Sequence, residues 1–69
     1  MINVRLARVP GTVQELALND GATVADALSA AGTSVQSGEA LKVNSADATL
    51  TTVLSEGARI LLVKGAKGN

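Results

Sequence analysis

The chain contains no cysteine, no histidine, and no phenylalanine, tyrosine or tryptophan. Each absence removes a class of chemistry. Without cysteine there is no disulfide to reinforce a small core and no thiolate to act as nucleophile or metal ligand. Without histidine the usual general base near neutral pH is missing. A metal site would have to be built from carboxylates alone, and the six aspartates and glutamates are scattered with no zinc-type or EF-hand spacing. A serine or threonine nucleophile would need a lysine or amino-terminal base, and none is placed for it. The expectation is a chain that is not an enzyme and holds no cofactor. Six lysines and arginines against six acidic residues give a net charge of zero. With no aromatic stacking platform either, nucleic-acid binding is not expected. No apolar run approaches the roughly 20 residues of a membrane span. The opening Met1-Ile2-Asn3-Val4-Arg5 lacks the basic-then-apolar layout of a signal peptide. These features predict a soluble, cytoplasmic protein without membrane association.

What is present is aliphatic. With 69 residues the chain is one domain, which buries only about 60% of its unfolded surface. Its core must come from Ala, Val, Leu and Ile, so tight packing is the main requirement. The organising stretch is Gly57-Ala58-Arg59-Ile60-Leu61-Leu62-Val63-Lys64. Four large aliphatics in a row, bounded by glycine, read as a strand buried on both faces within a sheet that includes parallel pairing.

The remaining elements arrange themselves around that strand. Ile2, Val4 and Leu6 alternate with Asn3 and Arg5, a period-two strand with one buried face. Val9-Pro10-Gly11-Thr12 is a turn. A second strand runs from Val13 to Leu18, where Leu16 and Leu18 alternate and Val13 falls out of phase, as a bulge or a late strand start would produce. Asn19-Asp20-Gly21 is another turn. Thr23 is an N-cap with Asp26 as its capping-box partner and as an acidic residue in the first turn. Val24, Ala27, Leu28 and Ala31 make one apolar stripe, and Gly32 closes the helix. Residues 33–38 are a loop. Residues 40–44 alternate and form a strand, with Lys42 outward and Leu41 and Val43 inward. Residues 44–47 are a turn, residues 48–50 a short strand, and residues 51–57 contain one helical or 3₁₀ turn anchored by Val53 and Leu54.

A hairpin, one helix and two or three further strands predict an α+β domain with a mixed four- to five-stranded sheet covered on one face by the helix. If the last strand pairs in parallel with the first, both are central, which is the β-grasp or ubiquitin-like arrangement. The domain is expected over 1–64, with 65–69 as a flexible glycine and lysine tail.

Three motifs carry a resemblance. Gly21-Ala22-Thr23-Val24-Ala25-Asp26-Ala27-Leu28 opens the helix, Val43-Asn44-Ser45 forms a turn, and Leu54-Ser55-Glu56-Gly57-Ala58-Arg59-Ile60 leads into the last strand. In order and spacing they resemble the small sulfur-carrier proteins of the thiamine and molybdopterin pathways, over nearly the whole chain. The resemblance implies a β-grasp fold. It also implies a carboxy-terminal Gly-Gly that an E1-like activating enzyme adenylates, before thiocarboxylate formation or attachment to a target amine. This chain departs from that pattern. It ends Lys64-Gly65-Ala66-Lys67-Gly68-Asn69, with no diglycine.

Two regions are candidate binding sites. One is the tail, with Gly65, Lys67, Gly68 and Asn69 as an arm inserted into a partner or as a frayed, solubilising end. The other is the sheet face away from the helix. A single helix cannot cover Ile60, Leu61, Leu62 and Val63 together. Either Ile60 and Leu62 or Leu61 and Val63 face the uncovered side, giving an aliphatic patch that involves Arg5, Ala7, Lys42, Arg59, Leu61 and Val63. Alternatively Ala7 and the arginine stems cover it. The short strand at 48–50 is a second docking option, by strand addition. The leading expectation is a non-catalytic module that binds a partner protein through this face and the tail, with self-association also open. The alternatives are a sulfur carrier or protein modifier activated at a processed end, and a structural subunit of a phage or other assembly.

Overall fold

The computed structural model describes residues 1–9 and 11–64. The elements run β1 (Ile2–Val9), β2 (Val13–Leu18), α1 (Val24–Ala31), β3 (Glu39–Val43), β4 (Ala46–Asp47) and β5 (Arg59–Lys64). The strands form one sheet in the order β2-β1-β5-β3-β4. Only β1 and β5 are parallel; the other three pairings are antiparallel. The described residues therefore form an α+β domain with a five-stranded mixed sheet and one helix. β5 is central, hydrogen-bonded to β1 on one edge and β3 on the other, but it is not buried on both faces as its apolar run suggested: Ile60 and Leu62 are buried, while Leu61 and Val63 are only half-buried.

The helix is set by its ends. The Thr23 and Asp26 side chains each accept from the other's backbone N–H, at 3.4 and 2.9 Å. Gly32 takes φ 74°, the left-handed conformation a Cβ resists, and the backbone N–H groups of Gly32 and Thr33 close back on Ser29 and Leu28. Val24, Ala27 and Leu28 are buried against Ile2, Val4, Leu6, Ile60 and Leu62, with Ala31 partly buried beside them. Two alanines in the stripe let the helix lie close over the sheet.

The structure corrects several local expectations. Val13 is not displaced by a bulge. The β1–β2 register runs without interruption from Ile2↔Leu18 to Ala7↔Val13, so Val13 belongs to the outer face with Glu15 and Ala17. Pro10 of the intervening turn lies outside the described residues, but the turn closes with Arg8 N–H donating to the Thr12 carbonyl at 2.9 Å. The segment 44–47 is not wholly a turn. Asn44 and Ser45 both take positive φ, 52° and 71°, forming a two-residue hairpin loop, and Ala46–Asp47 pairs with β3 as strand β4. The short strand therefore lies at Ala46–Asp47 and not at 48–50.

No helical or 3₁₀ turn forms in 51–57; isolated turns close from Thr52 N–H to the Thr49 carbonyl and from Ala58 N–H to the Ser55 carbonyl, and other backbone groups of the segment bond to distant elements. The carbonyls of Leu50 and Thr52 accept from the Ala25 and Val24 N–H groups, both at 3.0 Å, satisfying donors the first helical turn leaves free. Leu54 N–H donates to the Ala22 carbonyl at 2.8 Å, and its side chain is buried. Val53 is 65% exposed and does not anchor the core as its sequence suggested. Two residues further on, the Glu56 carboxylate accepts from Asn3 N–H at 3.0 Å and Gly57 N–H donates to the Asn3 carbonyl at 2.7 Å. The acidic-glycine step thus starts β5 alongside β1.

Candidate interaction face

The phase of β5 is decided by the helix. Ile60 and Leu62 are buried beneath it, so Leu61 and Val63 project to the opposite face, where each is half-buried. The pairing register then assembles that outer face. Ala7 and Lys42 flank Leu61 on either side, and Val9 and Ala40 flank Val63. Arg5 lies beside Arg59, and Glu15 beside Arg5. All six residues expected there, Arg5, Ala7, Lys42, Arg59, Leu61 and Val63, share this face. The expected tail residues Gly65, Lys67, Gly68 and Asn69 lie outside the described residues.

Val9 and Val13 enlarge the apolar area beyond those six. They are 47% and 66% exposed. The phase slip of Val13 against Leu16 and Leu18 was itself the sign that Val13 faces the other way. A shallow groove of about 350 Å³ crosses the face, lined by Arg5, Ala7, Val13, Ser45, Arg59, Ile60 and Leu61.

Charge surrounds this apolar surface. Arg5 pairs with Glu15 at 3.3 Å, and Lys42 with Asp47 at 2.7 Å. The Lys42 hydrogen bond, followed by its charge, holds the exposed Asp47 carboxyl below its ordinary range. Arg59 donates its backbone N–H to Asn44 Oδ1 at 3.0 Å, but among the described residues its guanidinium has no carboxylate partner.

The inner face holds a polar cluster that sequence reasoning did not identify. Arg8 reaches across the sheet from β1 to β3, where its Nε donates to Glu39 Oε2 at 2.8 Å and its Nη2 to Glu39 Oε1 at 3.2 Å. The same guanidinium donates to Thr33 Oγ1 at 3.0 Å and to the Ser34 carbonyl at 2.7 Å. Gln36 N–H donates to Glu39 Oε1 at 2.8 Å. Glu39 is not a solvent-facing carboxylate; its side chain is 5% exposed. The Gln36 backbone bond and then Arg8 hold its carboxyl below the ordinary value. The signal was present in the strand phase. Arg8 continues the inward series Ile2, Val4, Leu6, and Glu39 the inward series Leu41, Val43, so two opposite charges occupy positions that should be buried. This cluster pins the loop 33–38 to the sheet.

The other acidic residues are used locally. Asp20 pairs with the Met1 amino group at 3.1 Å, and Asp26 caps the helix. Among the described residues no group of three acidic side chains converges as a metal site, and no helix is long and apolar enough to cross a membrane.

No protein-family model matches the chain, and no curated protein matches it.

Proposed function

We propose that this chain is a β-grasp, ubiquitin-like interaction module that binds a partner protein through the outer face of its sheet, together with the segment after β5. One observation supports this most strongly. The only helix among the described residues covers one face of the sheet, while the other carries Leu61, Val63, Val9 and Val13 without a second layer. The strand order, with β5 central and parallel to β1, supports the β-grasp reading. On this reading binding is non-catalytic; the groove on this face is lined by aliphatic residues, two arginines and Ser45.

The test is site-specific photocrosslinking in the native cells. A crosslinker at Ala7 or Val63 is expected to trap a discrete partner that a crosslinker at Ala30, on the exposed helix surface, does not trap. Leu61→Asp in the same background should abolish the product. Equal trapping from the sheet and helix positions would refute the assignment of the face.

The same strand order favours a second reading, a sulfur carrier or protein modifier activated by an E1-like enzyme. ATP-dependent pyrophosphate exchange with that enzyme, on the full chain and on a chain ending at Gly68, tests it. Absence of exchange with both eliminates it.

A further inference from the structure

We infer that the partner segment seated on the outer face carries a carboxylate beside an aliphatic side chain. Arg5 and Arg59 hold the carboxylate, and Leu61, Ala7 and Val13 receive the aliphatic group. This rests on the interaction reading above and adds the chemistry of the occupant.

Arg5 and Arg59 are direct neighbours on parallel strands, and like charges placed opposite each other in a sheet are destabilising. Glu15 answers Arg5 at 3.3 Å, but both side chains are largely exposed, so the pair contributes little and is readily exchanged. Arg59 has no carboxylate partner among the described residues. On the far side of Leu61, Lys42 is already matched by Asp47 at 2.7 Å. Glu56 lines the adjoining cleft together with Arg5, Glu15 and Arg59, but its carboxylate is taken up by Asn3 and forms no ion pair with either arginine among the described residues. The guanidinium of Arg59 is therefore the one left without a direct carboxylate contact at this end of the groove.

The groove selects among anions. Its lining combines aliphatic Leu61, Ala7 and Val13 with Ser45 and the two arginines. A phosphate backbone would satisfy the arginines but leave the aliphatic lining wet, and no aromatic side chain is available to stack a base. A basic segment would be repelled. An aspartate or glutamate adjacent to Leu, Ile or Val satisfies both parts, because a guanidinium accepts a carboxylate in a two-pronged geometry while the neighbouring side chain is desolvated.

The experiment is selection of short random peptides displayed against the immobilised full chain, followed by titration of the best synthetic peptide. Enriched peptides are expected to place an aliphatic residue next to Asp or Glu. Their affinity should fall about tenfold or more in Arg59→Glu, the loss of one charge-assisted contact, and should decline with added salt. Amide shift changes in the wild-type chain, which need no variant to fold, should cluster at Arg5, Ala7, Arg59 and Leu61. Enriched peptides without carboxylates, or equal affinity for Arg59→Glu, overturn the occupant's chemistry. If the shifts still fall on Ala7 and Leu61, the face itself stands. Shifts on α1, or no enriched peptide at all, overturn both.

Discussion

At the scale of single residues, Arg8 and Glu39 are the most consequential pair. They are separated by 31 positions in sequence and joined only because β1 and β3 flank β5. An arginine in the inward phase of a strand is costly unless its donors are met, and here a carboxylate, a hydroxyl and a carbonyl meet them. The consequence for acid stability has a definite sign. The folded state lowers the Glu39 pKa from its ordinary 4.5, so the charged form stabilises the fold above that pH. The contribution is lost as pH falls through the depressed folded value. Glu39→Gln should therefore unfold at lower urea than the wild type at pH 7, and the gap should narrow well below pH 4.5. Circular dichroism reads this directly. A gap that stays constant between neutral and strongly acidic pH would show that the carboxylate charge is not what matters.

At the scale of elements, the β3–β4 hairpin is the place where local chemistry is least favourable. Both loop residues, Asn44 and Ser45, lie at positive φ. Asparagine tolerates that region through its side chain, whereas serine bears the cost of a left-handed L-residue, about 1–2 kcal/mol. Glycine would remove the cost but loses roughly 0.5–1 kcal/mol in unfolded-state entropy. Relief of the backbone strain outweighs that entropy loss, so Ser45→Gly is expected to stabilise the protein by about 0.5–1 kcal/mol, measured as a shift in the urea midpoint at unchanged slope. Destabilisation would mean that the loop relaxes out of this geometry in solution. The helix shows the opposite situation, since Thr23, Asp26 and Gly32 each have the residue type their position favours. Helix ends are governed by bonds within a few residues, and for that reason α1 was legible from sequence to its caps. The 48–58 segment was not, because its backbone bonds run to Ala22, Val24, Ala25 and Asn3.

At the scale of the whole molecule, adjacent leucines in β5 have different roles. Leu62 is fully buried under the helix and Leu61 is half-buried on the outer face. Leu62→Ala should cost about 2–5 kcal/mol, from lost transfer energy and the cavity left behind. That is a large share of the roughly 5–15 kcal/mol that holds a small domain folded. Leu61→Ala leaves a surface depression that water fills, and is expected to cost less than half as much while weakening partner binding. Thermal unfolding followed by circular dichroism separates the two. Equal destabilisation would mean that the outer face is covered in the free protein.

The sequence by itself determined the class of this protein, the hairpin, the capped helix and the existence of a central aliphatic strand. Alternation, capping and turn chemistry are properties of neighbours along the chain, and they do not depend on where other elements lie. The tertiary structure alone decided that Leu61 and Val63, not Ile60 and Leu62, face away from the helix, since four consecutive aliphatics carry no phase of their own. It also decided that Arg5 and Arg59 stand side by side. That adjacency is created by parallel pairing of the first and last strands, a contact between residues 54 positions apart in the chain, which only the assembled sheet brings together.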